Sequence, residues 1–82
     1  MTAVEIVLPS GRFARVRPVL AIDILLGFKA QFPEAAVISR VVTFDGESLS
    51  YEQVLNMEAE EFMPVMVKIN EILSKIKFKG VT

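Results

Sequence analysis

The chain has 82 residues, 52% of them hydrophobic, with a mean hydropathy of +0.48 and a net charge of −1. That length holds a single small domain with no room for a second core. A chain this short buries only about 60% of its unfolded surface, so some apolar surface is expected to face a partner or a second copy. The charge supplies no basic field for nucleic acid or anionic membrane, and no apolar run reaches the ~18 residues of a membrane span.

The chain has no cysteine and no histidine. Disulfides, thiolate chemistry, the commonest general base and the usual metal ligands are thereby removed. Glu5 interrupts the apolar run near the N-terminus, so no signal peptide is expected and the cytoplasm is the expected location.

Ala3 to Leu8 reads as a strand with Val4, Ile6 and Leu8 on one face. Pro9-Ser10-Gly11 supplies a tight reversal, because proline suits the first turn position and Gly11 can take the left-handed conformation that closes a three-residue loop. Arg12 to Arg17 is the return strand, with Ala14 and Val16 on one side and Phe13, Arg15 and Arg17 on the other. Pro18, lacking an amide hydrogen, ends the ladder. A β-hairpin over residues 3–17 is marginal alone and needs helices to pack on.

The helical part spans residues 19–78. Val19 to Ala30 is expected to be a helix with Ile22, Leu25, Leu26 and Lys29 near one face and Asp23 on the other, weakened at Gly27. Pro33 suits a first helical position, and Glu34 to Val42 reads as a short helix packed on two sides. The β-branched residues of Val37 to Phe44 leave a strand as the rival, and Asp45-Gly46 closes the segment. Ser50 and Gln53 form a capping box, flanked by Leu49 and Val54 as a hydrophobic staple, so Tyr51 to Leu55 is a short helix. Asn56 stands where it could cap the next one.

Met57 to Phe78 is the longest periodic stretch and reads as the element around which the others are organised. Phe62, Met66, Ile69, Leu73 and Ile76 recur at steps of four and three, and Val65 and Ile72 widen the stripe. Acidic residues lead the stretch and lysines end it, the polarity a helix dipole favours. Pro64 predicts a kink or offset, or a main helix that starts there. The fold class is therefore α+β: an N-terminal β-hairpin followed by three or four helices, the C-terminal one longest.

Little in this inventory supports catalysis, and no catalytic, cofactor-binding or metal site is expected. Glu58, Glu60 and Glu61 are the densest acidic group, and at a helix start they read as dipole-matching surface charges. Arg12, Arg15 and Arg17 beside Phe13 could meet single-stranded nucleic acid. In a chain of this charge they read rather as a solvated edge paired to Glu5 and its neighbours. Met57, Met63 and Met66 cluster around Phe62, a composition that suits adaptable binding surfaces and equally suits filling gaps in a core. Met57, Phe62, Met63, Met66 and Ile69 are the candidate partner-binding residues.

Taken together, Leu8-Pro9-Ser10-Gly11-Arg12 between two strands, Val16-Arg17-Pro18 leading into a helix that carries Asp23, and the run from Leu49 through Leu55-Asn56-Met57-Glu58-Ala59-Glu60-Glu61-Phe62 resemble the tail assembly chaperones of Mu-like phages. The resemblance extends from Val4 to Leu73; the apolar character after Pro18 and the proline at position 64 depart from the pattern. It implies a small non-enzymatic protein of the bacterial host cytoplasm, made by a phage or prophage. Such a protein binds the tape measure protein and keeps it soluble until tail tube subunits, a second expected partner, polymerise around it. The alternatives from the residues themselves are a homo-oligomeric structural protein and, further off, a nucleic-acid-binding regulator.

Overall fold

The computed structural model describes residues 3–75 and shows an α+β fold. β1 (Val4–Val7) and β2 (Phe13–Val16) form the antiparallel hairpin, in the register Val4 to Val16 and Ile6 to Ala14. Its loop is closed by the Gly11 amide donating to the Leu8 carbonyl, with Gly11 at φ +90°, where a side chain would be strained. The hairpin is half of a larger sheet. β3 (Val42–Phe44) pairs antiparallel with β2, and β4 (Glu47–Ser48) pairs with β3, giving the order β1-β2-β3-β4. Asp45 (φ 52°) and Gly46 (φ 86°) are the two residues of the second hairpin's turn, the left-handed pair that a tight two-residue connection requires.

Pairing lines up two inward rows, Val4–Val16–Val42 and Ile6–Ala14–Phe44, and these floor the core. The helices are α1 (Ala21–Gly27), α2 (Pro33–Val41), α3 (Tyr51–Leu55) and α4 (Ala59–Lys75), the last being longest. α2 is the hub, touching α1, α3, α4 and β3, and it buries Ala35, Ala36, Val37, Ile38 and Val41. Its run of small and β-branched residues lets neighbours approach on several sides. The long helix is thus one wall of the core and not its centre. Val65 and Ile69 are its buried anchors, with Phe62, Ile72 and Leu73 packed beside them.

Several local expectations are corrected. The segment over residues 37–44 is helix to Val41 and strand from Val42, so each rival reading holds for part of it. α1 covers only the middle of Val19 to Ala30. Asn56 caps the C-terminal end of α3, where its side-chain amide donates to the Glu52 carbonyl, and does not start α4. The carbonyl of Glu58 accepts the first α4 amides, from Glu61 and Phe62. α4 begins at Ala59, not at Pro64, and continues through that proline. The carbonyl of Glu60, which loses its usual partner there, belongs to an exposed residue that water can reach. Ile76 to Lys79 lie outside the described residues.

The largest departure is in α1, which is turned inside out. Asp23 and Gly27, one turn apart, face inward, while Ile22, Leu25 and Leu26 face solvent. Asp23 is 0% exposed and fully partnered. Its carboxylate accepts from Nη1 and Nη2 of Arg17 (both 2.8 Å), Nε of Arg40 (3.0 Å) and the amide of Leu20 (2.8 Å). Arg17 also donates to the carbonyls of Pro18 and Arg40, so one ion-pair cluster ties the end of β2 to α1 and α2. At Gly27 the helices come so close that a Cβ would lie 2.6 Å from Cγ2 of Val37. A carboxylate bonded on all sides and a glycine against a valine are what seat this helix.

Candidate interaction surface

Between α2, α3 and α4 lies an open cleft of about 360 Å³. Met57, held in the α3–α4 turn by its amide donating a hydrogen bond to the Val54 carbonyl, contributes one wall. Phe62 and Met66, one turn apart on α4, contribute the opposite one. Phe32 and Ala35 close it from α2 and its cap, and Val54 and Leu55 from α3. Ser50 sets the direction of α3, its hydroxyl accepting from the Gln53 amide while the Gln53 side chain accepts from the Ser50 amide. Phe32 is positioned by its amide donating to the Tyr51 hydroxyl (3.2 Å).

Three of the five candidate residues, Met57, Phe62 and Met66, thus meet in one groove. Met63 stands on the flank of α4, 48% exposed and outside the cleft lining. Ile69 presents no surface: it is 0% exposed within the core, and its part is to hold α4 in place. Phe32 and Leu55 are the groove residues that spacing did not single out. Phe32 looks like a loop residue before Pro33, and Leu55 like the end of a short helix; both are exposed large apolar side chains.

One carboxylate edges the groove and others lie nearby. Glu34 lines it, and exposed Glu58 and Glu60 lie in the adjoining cleft below the hairpin loop. Glu61 is already engaged, its carboxylate accepting from the Ser10 hydroxyl (2.7 Å) and amide (3.2 Å) and so fastening the hairpin tip to α4. Among the described residues no group of three or more acidic side chains is placed to hold a metal ion. Asp23 is unsuited to proton transfer: Arg17 in the first place, with the Leu20 amide and Arg40 adding, holds it well below the usual carboxylate range against the opposing effect of burial.

The arginines are largely committed. Arg17 and Arg40 bind Asp23, and Arg12 pairs with Asp45 at 3.4 Å and lies over the Phe44 ring. Arg15 faces Glu5 across the hairpin in register, and Phe13 is exposed on the same outer sheet face.

Comparison with protein-family models, with curated proteins and with solved structures gives no match for this chain. No helix of the described residues is long and apolar enough to cross a membrane. The cleft has a mainly apolar lining with one carboxylate, Glu34, at its edge.

Proposed function

We propose that this chain is a non-enzymatic binding protein that holds an apolar helical segment of a client in the α2–α3–α4 groove. The role that fits its sequence resemblance is that of a phage tail assembly chaperone, with the tape measure protein as client in the host cytoplasm. The observation that carries the reading is the convergence of Met57, Phe62 and Met66 on a groove shared with Phe32 and Leu55. Unbranched methionines beside aromatic rings accommodate helix faces of varied shape. A helix in such a groove presents anchors at i, i+3, i+4 and i+7, and Glu34 at the groove's edge favours one with a lysine or arginine beside its apolar stripe. Each anchor contributes roughly 1.5–3 kcal/mol before ordering costs. A few anchors therefore give a complex that still releases its client.

The test is co-expression with a tape measure protein encoded beside this chain. Its soluble fraction is expected to rise with the chain present and to fall back with Leu55→Ser and Met66→Ser together, in a variant shown by circular dichroism to remain folded. A client equally soluble with and without the chain would end the assignment.

A further inference from the structure

The outer face of the sheet holds a second cleft, which shares no lining residue with the groove. Pairing sets Glu5, Arg15, Thr43 and Ser48 in one row across β1, β2, β3 and β4. Ala14 and Val16 are buried on the inner face, so alternation turns this row outward. Arg17, two residues past Arg15, lies beside Arg40 where α2 runs into β3. Arg15, Arg17, Arg40, Thr43 and Ser48 thereby line one open cleft of about 340 Å³, and they include three of the chain's four arginines.

Much of the donor capacity of these arginines is unspent. Asp23 occupies Nε of Arg40, and neither Nη of that residue donates to another group among the described residues. Arg15 forms no ion pair among them: Glu5 stands opposite it in register without reaching it. The hydroxyls of Thr43 and Ser48, adjacent across the strands, add two donors. Asp23, buried between Arg17 and Arg40, holds both guanidinium groups in place and cancels one of the three positive charges. Glu5 lies outside the lining, and Glu47 pairs with inward-facing Phe44 and so belongs to the other face.

Guanidinium groups bind phosphate oxygens bidentately, through charge-assisted bonds about twice as strong as neutral ones. A phosphate monoester brings a charge of about −1.5 to −2 at neutral pH and three acceptor oxygens. A nucleic acid backbone needs a basic track along the surface. Here the cations converge on one point, bounded by Glu5, in a chain of net charge −1. We infer that the outer-sheet cleft binds the phosphate group of a small phosphomonoester. Arg15 and Arg40 grip the phosphate, and the Thr43 and Ser48 hydroxyls are further donors. The inference stands independently of the client assignment.

NMR titration of the isotope-labelled full chain with inorganic phosphate, and separately with glycerol 3-phosphate, reads the outcome at fixed ionic strength. Saturable shifts are expected at the amides of Arg15, Thr43 and Ser48 and at the side-chain Nε–H of Arg40. Arg15→Gln, at an exposed position, is expected to weaken binding by about 10-fold or more. Ser48→Ala is the second variant, with an expected loss of about 3-fold. Arg12→Gln, on the same hairpin but outside the cleft, is expected to leave binding unchanged. The absence of a saturable shift with either probe overturns the inference. So does an equal loss in Arg12→Gln and Arg15→Gln, the mark of a general field. It is equally overturned if a single-stranded oligonucleotide binds the cleft more tightly than glycerol 3-phosphate, since the site would then belong to nucleic acid.

Discussion

α1 and α4 contain the same kinds of residue and bury opposite ones. α4 behaves as an amphipathic helix is expected to: Val65 and Ile69 go inward and Glu71, Asn70 and Ser74 outward. In α1 the inward positions are Asp23 and Gly27 and the outward ones are apolar. The difference lies in what each helix packs against. α4 lies on an apolar wall made by α2 and its neighbours, where side-chain transfer sets the orientation. α1 meets α2 through a valine that only a glycine can approach, and its carboxylate is required by two guanidinium groups, Arg40 of α2 and Arg17 at the end of β2. Polar satisfaction and close approach can outweigh hydrophobic patterning in a short helix, and the apolar residues displaced by them become surface.

The largest effect should come from the ordinary side of this contrast. Ile69→Ala removes a fully buried anchor of α4 and is expected to destabilise the fold by about 3 kcal/mol, measured by urea denaturation. A loss below about 1 kcal/mol would show that α4 is not held by its apolar stripe.

Next comes Asp23→Ala, at about 2 kcal/mol. This is less than the 3–5 kcal/mol of a wholly buried pair, because the side chains of Arg17 and Arg40 keep partial access to water. The same residue predicts a pH dependence. Its pKa in the folded chain is lowered, so the unfolded chain binds the proton more readily, and Asp23 contributes its full stability above about pH 4. That contribution is lost as the pH falls further. The stability gap between the parent chain and Asp23→Asn should therefore narrow on acidification below about pH 4; a constant gap would mean that the carboxylate's charge does not hold α1.

Gly27→Ala tests the close approach. The added methyl must displace the buried Val37 side chain, against a gain of about 1 kcal/mol in helix propensity, so a net loss near 1 kcal/mol is expected. In a Val37→Ala background, where the obstructing methyl is gone, the same substitution should become neutral or stabilising. A cost unchanged between the two backgrounds would mean that Gly27 matters for another reason.

The first hairpin, the Ser50–Gln53 cap and the long final helix were legible in the sequence because each is specified within a few residues, by turn chemistry or by helical period. The second hairpin carried an equally local signal in Asp45-Gly46, but β4 is only two residues long and too short to show alternation. The end of α2 was ambiguous because β-branched residues serve both as its last turn and as β3. The hub position of α2 and the orientation of α1 could not be read locally. Arg17, Asp23 and Arg40 are brought together only when β2, α1 and α2 assemble, and Asp23 alone resembles an ordinary solvated residue. The groove was half legible: Met57, Met66 and Phe62 stood out by composition, as did Met63, which lies outside it, whereas Phe32 and Leu55 gain their place from the way α2 and α3 flank α4.

The smallest expected change in stability is at Leu25. Leu25→Ser should shift folding stability by no more than about 0.5 kcal/mol, because this side chain is largely in water already. Ile69 and Leu25 are similar in size and chemistry and each lies inside a helix, so the ratio of their effects measures the inversion directly. A loss at Leu25 approaching that of Ile69→Ala would mean that α1 turns its apolar residues inward in solution, which would release Asp23 from Arg17 and Arg40. The pH dependence assigned to Asp23 would then vanish with it, and the two measurements must succeed or fail together.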